Sequence, residues 1–294
     1  MKKIGFIGVG IMGKSMVRNL MKAGFELHIY ARTKSKVEDV IGEGAQFHES
    51  IKDCVQDCDA VITIVGFPQD VEEVYFDEGN ILDSAKEGAY LIDMTTTSPQ
   101  IAEKIYEEGT KRGFHVMDAP VTGGDTGAKA GTLSILVGGE KEDYEACMPL
   151  FEAMGTNINY QGKAGCGQHC KLANQIMIAG TLSGVCEALT YAKEQGLDPE
   201  VFMKSVATGA AGSKQLDTFG PKILKDDYAP GFFMKHFIKD MKLALIEANR
   251  KGLSLDVLSI VLANYEELEQ EGYGDLGTQA LMKFYDEEHR NTEE

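Results

Sequence analysis

Apolar positions in the first half of the chain come in short runs broken by glycine. Residues 2–9 (KKIGFIGV) read as a strand that ends in glycines, and residues 25–31 (FELHIYA) alternate as a second strand. Residues 60–65 (AVITIV), 89–94 (AYLIDM), 114–118 (FHVMD) and 132–138 (TLSILVG) are β-branched or apolar runs of strand length. Between them the period changes to that of a helix. Residues 13–23 place Met16, Leu20 and Met21 at helical spacing, and Gly24 stops the helix. Residues 34–42 also read as helical, and another helix opens at Ser98-Pro99, with serine as cap and proline in the first turn. Strands alternate with helices in this way through about residue 160.

After Gly162 the pattern is helical throughout. Residues 168–195 form one long apolar stretch rich in Ala, Leu, Ile and Met. Further helices are predicted at 198–208, 213–225, 235–251, 254–270 and 275–289, with a frayed polar tail at Glu287–Glu294. The expected organisation is a doubly wound parallel α/β sheet over residues 1–162, then an all-α C-terminal domain over 163–294. The 168–195 helix joins the two as a hinge.

A length of 294 residues suits two domains, and 43% hydrophobic with 26% charged residues is ordinary for a globular chain. No run of 18 uninterrupted apolar residues is present, so no membrane span is expected. The apolar N-terminus is interrupted by Gly8, Gly10, Gly13 and Lys14, which fits a first strand better than a signal peptide; a cytoplasmic protein is expected. The net charge of −17 argues against nucleic acid as a partner. It also requires local positive charge wherever an anionic substrate binds. Six cysteines stand at 54, 58, 147, 166, 170 and 186. Two pairs have i, i+4 spacing, but no Cys-x-x-Cys or paired His motif accompanies them, so buried free thiols are expected and no metal.

Chemistry first appears at Gly8-Val9-Gly10-Ile11-Met12-Gly13, a G-x-G-x-x-G set between a strand and a helix. That context marks a Rossmann dinucleotide site: the first glycine allows the turn, the second admits the pyrophosphate, and the third packs helix on strand. The end of the second strand reads Tyr30-Ala31-Arg32-Thr33-Lys34-Ser35-Lys36, without a carboxylate for a ribose 2′-OH. Arg32, Thr33 and Lys36 are instead suited to a 2′-phosphate, which predicts NADP(H) over NAD(H).

Three further segments are candidates for substrate chemistry. In Asp118-Ala119-Pro120-Val121-Thr122-Gly123-Gly124, the Thr122 hydroxyl and the Gly123 and Gly124 amides form a plausible cradle for a carboxylate. In Gly165–Gln175, Lys171, Asn174 and Gln175 fall at i, i+3 and i+4 on one face of an otherwise apolar helix. A lysine buried there would have its pKa lowered toward general acid/base range. His169 points roughly 200° away from Lys171 around the helix and is assigned to the surface or to interdomain packing. The third segment is Phe237-Ile238-Lys239-Asp240-Met241-Lys242-Leu243-Ala244.

In this order, together with Asp93-Met94-Thr95-Thr96, these segments resemble the β-hydroxyacid dehydrogenase family, which includes 3-hydroxyisobutyrate dehydrogenase and tartronate semialdehyde reductase. The resemblance covers essentially the whole chain. It implies an NAD(P)-dependent hydride transfer on a small anionic carboxylate, with Lys171 as acid/base and Thr122-Gly123-Gly124 on the substrate carboxylate. It also implies Asn174 on substrate, Thr96 by the nicotinamide ribose, Lys239 by the cofactor, and a homodimer or homotetramer associating through the helical domain. Thr122 stands where relatives often carry serine, and Val65-Gly66 where they often carry Leu-Pro, so the loop at Val65 on the adenine side differs. Lys-Leu-Ala-Asn-Gln is nearest to tartronate semialdehyde reductases, whereas Tyr-Ala-Arg-Thr is nearest to succinic semialdehyde and glyoxylate reductases. 6-Phosphogluconate dehydrogenase shares motifs but has a longer helical domain. A non-catalytic cofactor-binding module is disfavoured by Lys171 and Asn174.

Overall fold

Strands β1 (Lys3–Ile7), β2 (Glu26–Tyr30), β3 (Gln46–Phe47), β4 (Ala60–Thr63), β5 (Tyr90–Asp93) and β6 (His115–Asp118) form the parallel part of one sheet. The computed structural model that shows them describes residues 1–285. The polar tail Glu287–Glu294 and the end of the helix expected at 275–289 lie outside the described residues. β7 (Val121–Thr122), β8 (Leu133–Gly139) and β9 (Gly155–Gly162) complete the sheet. The hydrogen-bonded order is β3-β2-β1-β4-β5-β6-β8-β7, with β9 also on β8. The run 3-2-1-4-5-6 is the strand order of dinucleotide-binding doubly wound folds.

One end of the sheet departs from the expected parallel arrangement. β8 runs antiparallel to β6 and to β7. The stretch between β6 and β8 is taken up by β7 and a 7-residue helix, Gly124–Ala130. β9 (GTNINYQG) has only Ile158 and Tyr160 as large apolar positions, a weak signal in sequence, and it pairs parallel with β8.

Period-2 alternation sorts the strand residues into two cores, one on each face. Ile4, Phe6, Ala60, Ile62, Ile92 and Met117 pack into one cluster with Met16, Val17 and Leu20 of the helix Ile11–Lys22. Ile7, Val61, Leu91 and Val116 pack into the other with Val71, Val74 and Ile105. The helix Pro99–Lys111 starts as its sequence predicts. The Ser98 hydroxyl accepts the Gln100 N–H at 3.2 Å, and Pro99 occupies the first position.

The chain divides into two compact units, Met1–Lys171 and Leu172–Glu294. The helix Cys166–Glu194 begins in the first and continues through the second. It is long and apolar enough to cross a membrane by length and composition. One face of it is buried within the second unit. Leu172, Ala179, Leu182, Cys186 and Leu189 recur every three, four or seven residues and join the core of that unit. The partners are Met234, Phe237 and Met241 of the helix Met234–Arg250, and Leu258, Val261 and Tyr265 of the helix Asp256–Gln270. Phe237 and Tyr265 meet edge to face at 5.4 Å, and the Tyr265 hydroxyl donates to the Thr278 carbonyl at 2.7 Å. Among the described residues no named strand belongs to this unit.

Candidate active site

The parallel strands β1, β2, β4, β5 and β6 all end at one edge of the sheet, so the segments following them share that edge. These segments carry Gly8–Gly13, Arg32, Val65, Thr96 and Asp118–Gly124. The chain order reverses between β1 and β4, where α/β sheets of this kind bind ligands.

The glycines at that switch point fit a dinucleotide. Gly8 has a φ of 97°, and a Cβ there would lie 2.0 Å from the Ile64 carbonyl oxygen on β4's exit. A Cβ on Gly13 would lie 2.1 Å from the Gly8 oxygen, so helix Ile11–Lys22 sits directly against the end of β1. A Cβ on Gly10 would meet nothing within 4 Å. The two outer glycines are therefore required by packing, and the middle one leaves an open approach to the helix N-terminus. Gly10 caps that helix without a side-chain hydrogen bond, leaving the positive end of the helix to an anion. Val9 is buried, while Ile11 is exposed and Met12 half-buried at the mouth of the turn.

Arg32, Thr33 and Lys36 are exposed, and a short 3-10 turn at Lys34–Lys36 precedes the helix Glu38–Gly42 where one helix over 34–42 was expected. The Arg32 guanidinium is held by two carboxylates, Asp70 at 2.5 Å and Glu73 at 2.9 Å. Both lie on the helix Pro68–Phe76. Sequence spacing gave no sign of this pairing.

Next to the switch point a polar network closes the ends of β4 and β5. The Val65 N–H donates to the Thr95 hydroxyl at 3.0 Å. The Thr95 N–H donates to Asp93 Oδ1 at 3.1 Å, and the Thr63 hydroxyl donates to the same oxygen at 2.7 Å. Asp93 is buried, as is Thr95, whereas Thr96 is half-buried. Asp93 and Thr95 stand in a segment singled out in sequence only for Thr96; an Asp ending an apolar strand was the available signal.

The helix that carries Lys171 is fixed to this edge by Asp118. Its carboxylate accepts the Gly165 N–H and the Gln168 N–H, each at 2.8 Å. The fit depends on glycine. A Cβ on Gly138 would lie 2.5 Å from Asp118 Oδ1, and one on Gly167 would lie 2.7 Å from the Asp118 carbonyl oxygen. Lys171 follows one turn later and is 7% exposed. His169 is exposed, in keeping with its assignment away from the chemistry. Thr122 is half-buried on β7, and Gly123 and Gly124 take φ values of 128° and 64° at the start of Gly124–Ala130.

Asn174 and Gln175 belong to the second unit. The Asn174 amide donates to Gln175 Oε1 at 2.8 Å, and Gln175 Nε2 donates to Asp240 Oδ2 at 2.6 Å. Lys239 Nζ lies 3.0 Å from Asp240 Oδ1. Gln175 is 1% exposed, and its amide bridges Asn174 and Asp240. The six cysteines are free; Cys54, Cys58, Cys147 and Cys186 are buried, and Cys166 and Cys170 are half-buried. Burial pushes the Cys58 thiol up to about 12, against the lowering effect of Lys3.

This strand order, with a glycine turn feeding a helix at the switch point, defines a dinucleotide-binding architecture. Comparison with known proteins agrees. Residues 3–162 match the NAD binding domain of 6-phosphogluconate dehydrogenase, and residues 165–285 match the NAD-binding family of NADP-dependent 3-hydroxyisobutyrate dehydrogenase. A probable 3-hydroxyisobutyrate dehydrogenase-like protein of Arabidopsis thaliana is 45% identical, covering 95% of this chain and 84% of its own length. The 2-hydroxy-3-oxopropionate reductase of Escherichia coli is 37% identical over 86% of each chain. The 3-hydroxyisobutyrate dehydrogenase of Mycobacterium tuberculosis, solved with L-serine, is 26% identical with a TM-score of 0.89, covering 96% of this chain and 98% of that one. The chain belongs to the β-hydroxyacid dehydrogenase family, and is an NAD(P)-dependent oxidoreductase.

Asp93 generates a pH prediction. Burial pushes its carboxyl up to about 6, against the hydrogen bonds from Thr95 and Thr63 that lower it. The folded-state pKa therefore exceeds the unfolded value of about 3.9. The folded state holds the proton more tightly, so this contribution to stability is complete below pH ~4 and is lost as the pH rises through about 6. Asp93→Asn removes the titration. Relative to the parent it should gain about 3 kcal/mol between pH ~4 and ~7, from roughly two pKa units. Thermal unfolding across that range measures it, and a difference between the two proteins that stays flat contradicts it.

Proposed function

We propose that this chain is an NADP(H)-preferring oxidoreductase that interconverts a small β-hydroxyacid and its carbonyl form, with Lys171 as the proton donor and acceptor. The nicotinamide supplies or takes the hydride when the cofactor is bound. The observation that carries the reading is the 7% exposure of Lys171 on a helix turn anchored by Asp118. An ammonium is expensive to bury, and a lysine so placed is suited to exchange a proton with an oxygen whose charge changes in the reaction. In this reading Lys171 protonates that oxygen during reduction and accepts the hydroxyl proton during oxidation. The Thr122 hydroxyl and the Gly123 and Gly124 amides bind the substrate carboxylate, which the net charge of −17 otherwise repels. Asn174 orients the substrate, Gln175 holds Asn174 and Asp240 in place, and Thr96 and Lys239 contact the cofactor. The small carboxylates named for its relatives support this substrate class. Exposed Met177, Tyr191, Val257 and Ile260 on the helical unit support association of two or four copies through that unit.

Arg32 carries the cofactor preference in this proposal. Its partners Asp70 and Glu73 compete with a 2′-phosphate, so NADP(H) binding includes an exchange of ion-pair partners. NADPH should still bind at least about tenfold more tightly than NADH, or ~1.4 kcal/mol. Arg32→Asp should reverse much of the difference, and Glu73→Gln should widen it. Calorimetric titration with both cofactors checks this; equal affinities in the parent, or no response to Glu73→Gln, would remove Arg32 from the role.

The catalytic assignment is checked by NADPH consumption with tartronate, succinic, methylmalonate and glyoxylic aldehydes. Lys171→Ala should lower kcat by roughly 10²–10⁴-fold with little change in NADPH affinity. Lys171→Arg should rescue poorly, because arginine keeps its proton near neutral pH. Full activity in the arginine variant would reduce Lys171 to an electrostatic anchor.

A further inference from the structure

Gln168 is wholly buried, at 0% exposure, in the first turn of the helix Cys166–Glu194. Its side chain makes two hydrogen bonds of opposite sense to a single loop. Oε1 accepts the Thr97 N–H at 3.0 Å, and Nε2 donates to the Thr95 carbonyl at 2.7 Å. Its own backbone N–H goes to Asp118 Oδ2. Thr95 is in turn the hub of the loop, taking the Val65 N–H on its hydroxyl and giving its N–H to Asp93. Thr96 stands between the two backbone groups that Gln168 grips. Lys171 is three residues beyond Gln168, one turn along the same helix face. A continuous set of hydrogen bonds thus runs from the end of β4, through the Thr95–Thr97 loop, to the turn before Lys171.

We propose that Gln168 is a positioning residue whose amide clamps the Thr95–Thr97 loop to the helix turn preceding Lys171 and thereby sets the lysine's place for proton transfer. The proposal rests on the proton-transfer reading of Lys171 given above. The chemistry of the clamp is specific. One end must accept and the other must donate, and a neutral carboxamide does both. An ionised carboxylate of the same shape only accepts, and would face the Thr95 carbonyl with a lone pair. A protonated carboxyl regains a donor and restores the pattern. Burial favours the protonated form and raises the pKa at which this exchange occurs.

Gln168→Glu is therefore a test that a merely space-filling role would not pass. The rate is measured with NADPH and whichever of the four carboxylate aldehydes the parent reduces fastest, and is expressed as the ratio of variant to parent at each pH. At pH ~8 the ratio of kcat should fall by about tenfold or more, the scale expected when a catalytic group is displaced by a fraction of an ångström to an ångström. Toward pH ~5.5 the ratio should climb back to within about threefold of one as the new carboxyl takes up its proton. Both proteins are assayed at saturating NADPH, because the clamped loop also carries Thr96, which the proposed function places by the cofactor. A ratio that is near one at all pH values, or reduced by the same factor at all of them, overturns the clamp. If the Glu variant unfolds at pH ~8, the neutral Gln168→Met variant replaces it: lost kcat with intact NADPH binding supports the clamp, and full kcat overturns it. Lys171→Ala is assayed alongside. If it keeps its rate, the proton-transfer reading itself has failed. If it loses its rate while the Gln168 variants follow the parent, the positioning role alone has failed.

Discussion

Asp118 ends β6 with a carboxylate that is 3% exposed and pointed at the start of the helix Cys166–Glu194. Burying such a group is costly, and burial does push its pKa upward. Two hydrogen bonds from Gly165 and Gln168 oppose that cost, each worth about 1.5–3 kcal/mol when the acceptor is charged. The positive end of the helix adds to them. The contact exists because Gly138 and Gly167 have no side chain where Asp118 must lie. Every residue that the helix carries near its start inherits its position from this junction. Lys171 is the residue that matters most for the proposed chemistry.

The cofactor side follows the same logic of absent side chains. Gly8 and Gly13 are excluded from substitution by backbone atoms about 2 Å from where a Cβ would sit, whereas Gly10 is bounded by open space. Two glycines thus build the turn and one keeps it open. The Thr95–Thr97 loop connects the two halves of the first unit's site. It receives Val65 from the cofactor side and Gln168 from the lysine-bearing helix.

Much of this was legible in the sequence where the signal is local. The glycine motif, the Ser98-Pro99 helix start and the switch from strand to helix period after Gly162 are contained in short windows. The sheet's antiparallel end was not legible. β7 has two residues, and β9, which pairs parallel with β8 beyond it, has only Ile158 and Tyr160 as large apolar positions, so neither raises a strong hydrophobic period. The partners of the site residues were also hidden, because they lie far off in sequence. Arg32 meets Asp70 and Glu73, Gln175 meets Asp240 from 65 positions away, and Gln168 meets a loop more than 70 residues earlier. Gln168 was visible only as one member of a motif. Its i, i+3 relation to Lys171 was the available clue, but its two backbone partners depend on the fold.

If Asp118 acts through the lysine, its effect on catalysis must vanish when the lysine is gone. The direct measurement is a double-mutant cycle on kcat with Asp118→Asn and Lys171→Ala, each protein first shown to be folded by thermal unfolding. Asp118→Asn should cost about tenfold or more in the parent and nearly nothing further in the Lys171→Ala background, the grossly non-additive pattern of residues that work as a unit. Equal factors in the two backgrounds would contradict the account and return Asp118 to a purely structural place in the fold.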